Sequence, residues 1–492
     1  MRRLCQRAAP PLLLLVVSGC TDLMRPDTDV RARFQRSLPS VATATQPSAS
    51  LKIDTSQIRP MYDRRMLAVD LLTTVRVATA RNIDIQAAQE RVAASRGAYE
   101  ASIGMIFPSV SPNITALGLQ GAVATPALVV QSFNHVFPIV LLQWIINPGQ
   151  VAYDIIASKR RLEASDQLDL AVVLETTRAA AVQYYEVVLA QAQVGVARRS
   201  LQEAEELLRI ERLRLKTGTG LPEDELRAQA ALAARQQNLL TALNAFYNAS
   251  VALTITMHLD PTVMLVPKAG SIKATTLVRE DLSIDDMLVT AARYRPDLEA
   301  IRTLVAAAEA GTGATIWGGL GPQVTAAATF TTRPPASSTA DTEYRQQTYI
   351  ATGGFNWSAA TFGRIRTAIA NAKIAGLDAE RQLDLVQAAV VTAHQTSLTT
   401  KKTIPIAQQE VSSAEEALRL TQKNLQSGTG LTIDVLVAQD AADQAGLHFA
   451  TAVTRYNQAE INLLAALGLI DQLNVVGKST ARGGGRAQTP SR

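Results

Sequence analysis

Cys20 is the residue whose type and surroundings most directly predict a chemical reaction. Three arginines precede an apolar run at positions 12–17 that ends in Ser18-Gly19-Cys20, an order typical of a bacterial leader peptide. A cysteine directly after small residues marks a lipoprotein cleavage site, so residues 1–19 are predicted to be removed and Cys20 to become the acylated N-terminus. The alternative is an ordinary secretory leader with an incidental cysteine. Thr21, in place of Asp, resembles the pattern of lipoproteins that are sorted to the outer membrane.

Two Gly-Thr-Gly triplets, at 218–220 and 428–430, form the second kind of candidate site. A glycine-rich loop can bind phosphate, but neither triplet has a Walker lysine or a buried strand before it. Glycine can instead take the left-handed conformation that ends a helix, so both triplets predict reversals of the chain between helices. Asp224 and Asp434 fall in the first turn of the returning helices, where a carboxylate interacts favourably with the helix dipole.

Other reactive side chains do not form a catalytic or metal-binding pattern. Cys5 lies in the leader, the four histidines are scattered without metal-ligand spacing, and Glu205-Glu206 and Glu415-Glu416 sit in the middle of helical segments. Basic runs lack interleaved aromatic residues, and loss of the leader lowers the net charge from +5 to +2. We therefore expect no enzyme, no nucleic-acid partner, no metal and no cofactor other than a covalent lipid at Cys20.

An internal repeat organises the chain. Fourteen residues between 204 and 229 recur unchanged 210 residues later, including both glycine triplets and both aspartates. Further matches at offsets of 213 or 214 join 84–87 to 297–300 and 149–159 to 363–373. Each half is predicted to contain a helix, two strands, a very long helix, a glycine turn and another long helix.

The long helices are predicted by the scarcity of proline and glycine in their segments and by the spacing of their apolar residues. Between Gln150 and Thr217 there is no proline and one glycine. Heptad spacing, typical of coiled-coil packing, occurs at Leu201, Leu208 and Leu215 and again at Val411, Leu418 and Leu425. In the second half, Pro405 predicts a bend or break. Outside the leader we expect no helix apolar enough to cross a membrane.

The strand segments show alternation with a period of two. In the second half, Val324 to Phe330 and Tyr349 to Trp357 alternate with polar or small residues, as in outer-membrane strands. The first-half segments, at about 109–122 and 130–146, are less regular, and the edge of a soluble sandwich would look similar. Four strands cannot close a barrel, and an open edge cannot lie in lipid, so oligomerisation is expected, with twelve strands from three copies.

Several motifs carry a family resemblance: the duplicated Gly-Thr-Gly-Leu-x-x-Asp-x-Leu-x-Ala-Gln, Tyr294-Arg295-Pro296-Asp297-Leu298, Pro108, Pro322 and Leu464-Ala465-Ala466-Leu467-Gly468. Together they resemble the TolC-like outer-membrane factors. The resemblance covers about 69–469. It implies a mostly α fold with membrane β, in which tandem-duplicated long helical hairpins form a coiled-coil barrel and four transmembrane strands per chain complete a trimeric twelve-strand barrel. The predicted organisation is a leader at 1–19, an N-terminal arm at 20–60, repeats at 61–268 and 269–476, and a disordered tail at 477–492.

The resemblance also assigns roles to the glycine turns. It implies that two tips dock a periplasmic adaptor, and they comprise Gly218, Thr219, Gly220, Leu221, Gly428, Thr429, Gly430 and Leu431. Asp434 and Asp224 match acids that narrow the tunnel entrance, where carboxylates from three copies would attract cations and raise one another's pKa. Alternatively, each carboxylate is a solvated residue in the first turn of its helix. Val437 occupies a position where a second acid is sometimes found, so this entrance is expected to be more apolar.

The predicted function is passive conduction from an adaptor and inner-membrane pump, through an outer-membrane channel of a tripartite efflux system, to the exterior. The chain would be lipid-anchored and project into the periplasm. One alternative is the exit duct of type I protein secretion. An alternative of another class is a non-channel periplasmic coiled-coil lipoprotein whose strands form a soluble domain.

Overall fold

The computed structural model describes residues 50–52, 66–119, 123–125, 128–130, 133–268, 271–333, 344–355 and 358–471. The predicted leader, Cys20, Trp357, the tail at 477–492 and all but three residues of the arm at 20–60 lie outside these ranges.

Two equivalent series of helices and strands follow one another along the chain, as the repeat predicts. The arm contains β1 (Ser50–Lys52). The first repeat contains β2 (Met66–Val69), α1 (Leu71–Arg81), α2 (Ile83–Gly104), β3 (Ser109–Leu119), β4 (Val123–Thr125), β5 (Leu128–Val130), β6 (Phe133–Ile146), α3 (Pro148–Lys216), α4 (Pro222–Thr256) and β7 (Met264–Pro267). The second contains β8 (Ser271–Lys273), α5 (Ile284–Tyr294), α6 (Pro296–Leu320), β9 (Pro322–Arg333), β10 (Tyr344–Phe355), α7 (Ala359–Gln426) and α8 (Thr432–Ala466). The single helix predicted at the start of each half is thus a pair of helices.

The longest helices, α3 and α7, have 69 and 68 residues, so each extends about 100 Å at 1.5 Å per residue. Of the bend or break predicted at Pro405, the break is excluded, because α7 continues through this residue. One proline removes one backbone hydrogen bond, whereas Ile404 and Ala407 beside it are buried against neighbouring helices, and this packing keeps the helix continuous. The predicted heptads are confirmed at Leu208, Leu418 and Leu425, which are buried.

The four long helices lie in the order α4, α3, α8, α7. Within each repeat the long helix packs on the returning one, and α3 of the first repeat packs on α8 of the second. In consequence α3 and α8 have 22 and 19 buried residues, whereas α7 and α4 have eight and five. The helices α4 and α7 are therefore the two edges of this arrangement, and each has one uncovered flank.

One antiparallel sheet has the strand order β10-β9-β6-β3, so strands from the two repeats meet at the centre, between β6 and β9. The predicted strands are confirmed in both halves. Two short pairings occur elsewhere: β2 lies parallel to β7 within the first repeat, and β1 of the arm lies antiparallel to β8 of the second repeat.

A connector between the repeats is held by polar side chains of α8. The buried Glu460 carboxylate accepts backbone hydrogen bonds from Leu277 (2.7 Å) and Val278 (3.0 Å). Asn457 accepts from the Thr275 amide at 2.8 Å and donates to the Lys273 carbonyl at 2.9 Å. The connector cannot pair with a strand here, so these side chains satisfy its backbone groups.

Among the described helices, α4 alone is long and apolar enough to cross a membrane by length and composition, with a mean hydropathy of 1.3 in its most apolar stretch. The expectation that no such helix exists is therefore wrong by this measure. Only 22% of that stretch is buried in one chain, because α4 is an edge helix.

The motifs at 294–298 and 464–468, which are far apart in the sequence, meet at the start of α6. Arg295 donates to both carboxylate oxygens of Asp297, at 2.9 and 2.6 Å, and Gln382 of α7 donates to the same group at 3.2 Å. Gly468 ends α8 with a φ of +72°, and a Cβ there would lie 2.8 Å from the Tyr294 carbonyl oxygen. Burial raises the pKa of Asp297, but the Arg295 hydrogen bonds and charge outweigh it, so the net pKa is lowered.

Asp297→Asn should lower the free energy of unfolding by about 1–2 kcal/mol at neutral pH, because it weakens charge-assisted hydrogen bonds. Because the pKa of Asp297 is lower in the folded state, its carboxylate stabilises the fold at pH values above the ordinary pKa of 3.8. This contribution is lost as the pH falls through the folded-state pKa. The difference between variant and wild type, measured by thermal unfolding of the helices, should therefore shrink below pH 3.8. The control is Asp281→Asn, in an exposed pair with Arg279 at 3.8 Å. A difference that is constant with pH would contradict the assignment.

Candidate functional site

Each glycine triplet closes a helical hairpin with the same backbone geometry. Gly218 and Gly428 have φ values of +78° and +82°, the left-handed conformation that the sequence predicted. In the first tip the amides of Thr219 and Gly220 both bond to the Arg214 carbonyl, at 2.9 and 3.0 Å. In the second, the amides of Thr429 and Gly430 bond to the Asn424 carbonyl, both at 3.0 Å. The tips are thus hydrogen-bonded turns that carry no side chain at their sharpest point.

Beyond each triplet, a leucine precedes the first residue of the returning helix. Leu221 and Leu431 have extended backbone angles and exposed side chains. An exposed leucine beside a turn of small residues leaves apolar surface and backbone groups accessible to a partner. The eight predicted docking residues therefore lie together as two equivalent tips.

The two aspartates that were predicted to lie at the entrance have different surroundings. Asp224 is largely covered, and its Oδ1 lies 3.2 Å from Arg227 Nη1, one turn along α4. Asp434 is exposed, and no ion pair to it occurs among the described residues. Val437, one turn further along α8, is exposed as well. The Asp224 carboxylate of the first repeat is therefore paired with an arginine, whereas the equivalent Asp434 carboxylate of the second repeat faces solvent beside an apolar side chain.

Directly behind the tips, all four long helices contribute to one apolar cluster. Its buried members are Leu207, Leu208, Ala228, Leu418, Leu425, Val435 and Ala438. At its edge, the buried Glu211 carboxylate of α3 accepts a hydrogen bond from Thr432, the first residue of α8, at 3.0 Å. Arg214 donates to the same carboxylate at 3.1 Å. A buried charge with two partners ties the first hairpin to the base of the second tip.

A second group of polar contacts between the hairpins lies further from the tips than Glu211 does. Arg235 of α4 forms ion pairs with Asp440 and Asp443 of α8, and its Nη1 lies 3.4 Å from Asp443 Oδ2. Ser200 of α3 donates to that same oxygen at 2.5 Å. On the α7 side, Arg199 lies 3.5 Å from Glu415. These contacts, with Glu211–Thr432, are called the intrachain ties below.

Burial raises the pKa of Asp443, and the adjacent Asp440 carboxylate adds to the increase, although Ser200 and Arg235 oppose it. Burial also raises the pKa of Glu203, with a further contribution from Asp443. Asp443 in the ties and the neighbouring Glu203 therefore retain protons at higher pH than exposed acids do. The sequence did not indicate any of these residues, because their partners lie in the other repeat.

The sheet has one apolar face. Strand register places the following on it: Val110, Pro112, Ile114, Ala116, Val136, Pro138, Val140, Leu142, Trp144, Val324, Ala326, Ala328, Phe330, Tyr349, Ala351 and Phe355. Arg345 and Gln347 in β10 are polar residues on the same face. The opposite face carries Ser109, Ser111, Asn113, Thr115, Gln143, Gln323, Thr325, Thr329, Thr331, Gln346, Thr348 and Thr352, with apolar Phe137, Ile139, Leu141, Ile145 and Ile350 among them.

This apolar face is largely exposed in a single chain. Ile114, Val136, Tyr349 and Phe355 are each more than 60% exposed. Phe330 and Tyr349 stack edge to face across neighbouring strands, with centroids 6.0 Å apart. An exposed face of this extent, opposite a mainly polar one, is typical of strands that contact lipid.

Comparison with known proteins identifies a family and a shared fold. The model of the family described as "Outer membrane efflux protein" matches residues 74–257 and 287–469, one match in each repeat. No curated protein sequence is significantly similar to the chain.

Three solved structures illustrate the shared fold. The Campylobacter jejuni outer membrane channel CmeC is 15% identical over 90% of this chain and 96% of its own, with a TM-score of 0.70. The Vibrio cholerae outer membrane protein VceC is 17% identical over 81% and 96%, with a TM-score of 0.69. The Neisseria gonorrhoeae outer membrane channel MtrE, described in an open state, is 16% identical over 87% and 99%, with a TM-score of 0.67.

Gly428→Val should strain the second tip, because its φ of +82° is unfavourable for a branched side chain, whereas Gly428→Asn should be tolerated. A Cβ at this position meets open space, so backbone strain is the only expected effect. A local cost of about 1.4 kcal/mol corresponds to roughly tenfold faster amide exchange at Thr429 and Gly430 in the valine variant. Equal exchange in the two variants would show that the tip does not require the left-handed conformation.

Proposed function

Because the chain belongs to the outer membrane efflux protein family, we propose that it is the outer-membrane channel subunit of a tripartite efflux system. Substrates enter from a periplasmic adaptor and an inner-membrane pump and leave passively to the exterior, and the pump supplies the energy. The observation that carries this proposal is the apolar face of the four-stranded sheet, opposite a mainly polar face, in a chain whose two repeats both match the family.

The sheet supports a trimer. Its edge strands β3 and β10 have unpaired backbone groups, which cannot remain unpaired in lipid. Three copies would pair β10 of one with β3 of the next and give twelve strands, with the apolar face outward and the polar face lining a water-filled lumen. The hairpins of three copies would continue this lumen as a helical tube in the periplasm.

The tips support the proposed contact with an adaptor. Leu221 and Leu431 are exposed next to hydrogen-bonded turns with no bulky side chain, so a partner can approach the backbone closely. We assign Gly218, Thr219, Gly220, Leu221, Gly428, Thr429, Gly430 and Leu431 to docking. The adaptor and pump are expected partners of this channel, and nucleic acid is not.

At the entrance, the structure favours Asp434 over Asp224 as the constricting acid. Arg227 neutralises Asp224 within the same helix, whereas Asp434 faces solvent. In a trimer, three Asp434 carboxylates would form a ring that attracts cations and repels anions.

We further propose that Cys20 carries the covalent lipid that anchors the N-terminus in the outer membrane, as the leader and Thr21 predict. The chain would then need no other cofactor, and conduction requires no catalytic residue.

Asp434→Ala should change the selectivity of single channels in planar bilayers, with the cation-to-anion permeability ratio falling by about twofold or more as the charged ring is removed. Asp224→Ala is the matched control from the other repeat, and a much smaller change is expected because Arg227 already pairs with this acid. Equal effects would contradict the distinction between them. Absence of discrete steps from folded, heat-resistant oligomers would favour the non-channel lipoprotein instead.

Cys20→Ala should abolish acylation, because the thiol is the only group at the cleavage site that can form the thioether. Mass spectrometry of the mature protein should show a diacylglyceryl and acyl modification on wild-type Cys20 and none on the variant. Cys5→Ala is the control, and it should leave the lipid in place because residue 5 is removed with the leader. An unmodified wild-type N-terminus beginning elsewhere than Cys20 would establish the ordinary secretory leader.

A further inference from the structure

Two polar residues lie on the apolar face of the sheet, at the end of β10 that is far from the helices. On this face β10 carries Tyr349, Ala351 and Phe355, and the preceding residues in the same alternation are Gln347 and Arg345. Both polar side chains are exposed. No ion pair to Arg345 occurs among the residues that the structure describes. A cation on a face that contacts lipid is tolerated only where it reaches the headgroups, so the height of Arg345 in the membrane matters.

The position of Arg345 along β10 matches the height of an apolar band in an outer membrane. Phe355 ends the strand on the side of α7, ten residues from Arg345. At about 3.4 Å per residue and a strand tilt of about 40°, ten residues rise about 26 Å, and the apolar band of such barrels is about 25 Å tall. In the proposed channel, Phe355 and Arg345 therefore lie near the headgroups of opposite leaflets.

Aromatic residues mark the boundary next to Arg345 and show which leaflet it reaches. Phe330 and Tyr349, which stack edge to face, lie on the same face between Arg345 and the middle of the sheet. Aromatic side chains are typical of the interfaces of such barrels. At their other ends, β9 and β10 join the helices through Pro322 and Phe355. Because the helices project into the periplasm in the proposed function, Arg345 reaches the outer leaflet.

The Gln347 side chain is arranged as a second hydrogen-bond donor beside Arg345. The Tyr349 hydroxyl donates to Gln347 Oε1 at 2.8 Å, which leaves the Gln347 amide nitrogen to donate to another group. Arg345 lies two residues away on the same face, about 7 Å along the strand, and its guanidinium has only donors. Several donors and one positive charge together suit phosphate oxygens, which a guanidinium binds with two parallel hydrogen bonds.

We propose that Arg345 and Gln347 bind a phosphate group on the headgroup of an outer-leaflet lipid, with Arg345 making the two-pronged contact. The outer leaflet of an outer membrane contains phosphorylated glycolipids of the lipid A type. The proposal rests on the proposed channel function for its setting and adds to it a lipid ligand. Closure of a barrel pairs strand edges and leaves this face uncovered, so each copy would contribute one phosphate site.

The surface between the phosphate site and the helices suits the acyl chains of the same lipid. Ala351 pairs with Ala326, and Tyr349 pairs with Ala328, so small side chains form most of this face on β9 and β10. A Cβ added to Gly353 would meet nothing within 4 Å, so the surface is open there. Acyl chains can therefore lie against the strands while the phosphate is held at their end.

Native mass spectrometry of the purified, delipidated protein tests the site with two probes: diphosphoryl lipid A, and the same lipid after removal of both phosphates. Wild type should bind the phosphorylated lipid at least tenfold more tightly. Arg345→Gln should weaken binding of the phosphorylated lipid about tenfold, because a charge-assisted contact is lost, and should not change binding of the other lipid. The control is Arg381→Gln, at an exposed arginine of α7, which should bind both lipids as wild type does.

Two further variants separate charge from geometry. Arg345→Lys keeps the charge but loses the planar fork, and Gln347→Leu removes one donor, so each should weaken binding of the phosphorylated lipid about threefold. Unchanged binding of this lipid by Arg345→Gln would overturn the proposal. Equal weakening for both lipids would overturn it as well, because the residue would then act on the fold or on acyl-chain packing. Binding of inorganic phosphate to lipid-free wild type, lost in Arg345→Gln, would assign the site to free phosphate instead of lipid.

Planar-bilayer recording of wild type distinguishes failure of this site from failure of the channel. A protein that discriminates between the two lipids through Arg345 but shows no conductance would retain the lipid site and contradict the proposed channel. A protein that conducts but binds the two lipids equally would retain the channel and contradict the lipid site.

Discussion

The packing of α3 against α8 is the contact on which the other features of the chain depend, because it is where the two repeats join along their longest helices. Both helices also pack on other helices, and together these contacts bury 22 residues of α3 and 19 of α8. Burial of apolar surface on this scale is the main stabilising contribution available to long helices. The same contact positions the two tips side by side, because Glu211 of α3 reaches the first turn of α8. It also leaves α4 and α7 as edges, so one chain is an incomplete structure.

The features that depend on local sequence could be predicted from it. Glycine at 218 and 428 predicts a residue in the left-handed conformation at the end of a helix, whatever its tertiary surroundings. Period-two alternation likewise predicts strands without knowledge of their partners. The acylation of Cys20 and the roles of Asp434 and the tips remain predictions. Pro405 does not break α7, because the proline rule describes an isolated helix, whereas the neighbours of Pro405 are buried by other helices.

The features that depend on distant partners could not be predicted. Arg235 and Asp440 are 205 residues apart, and Glu460 and the Leu277 amide are 183 apart. Nothing near Arg235 distinguishes it from other arginines on helix surfaces, which usually contribute little. The duplication offers one signal. Where charged residues of one copy are replaced by alanine in the other, as Arg235 and Asp440 are by Ala445 and Ala230, the two equivalent interfaces cannot have the same chemistry.

The two repeats are related in the sheet in the same way as in the helices. Its central pair is β6 with β9, and the repeat maps these strands onto β10 and β3, the two edges. In the proposed trimer, the equivalent of β6–β9 would be β10 against β3 of another copy. The central contacts of the sheet and of the helices thus both join the two repeats, and the equivalents of both contacts are open in a single chain.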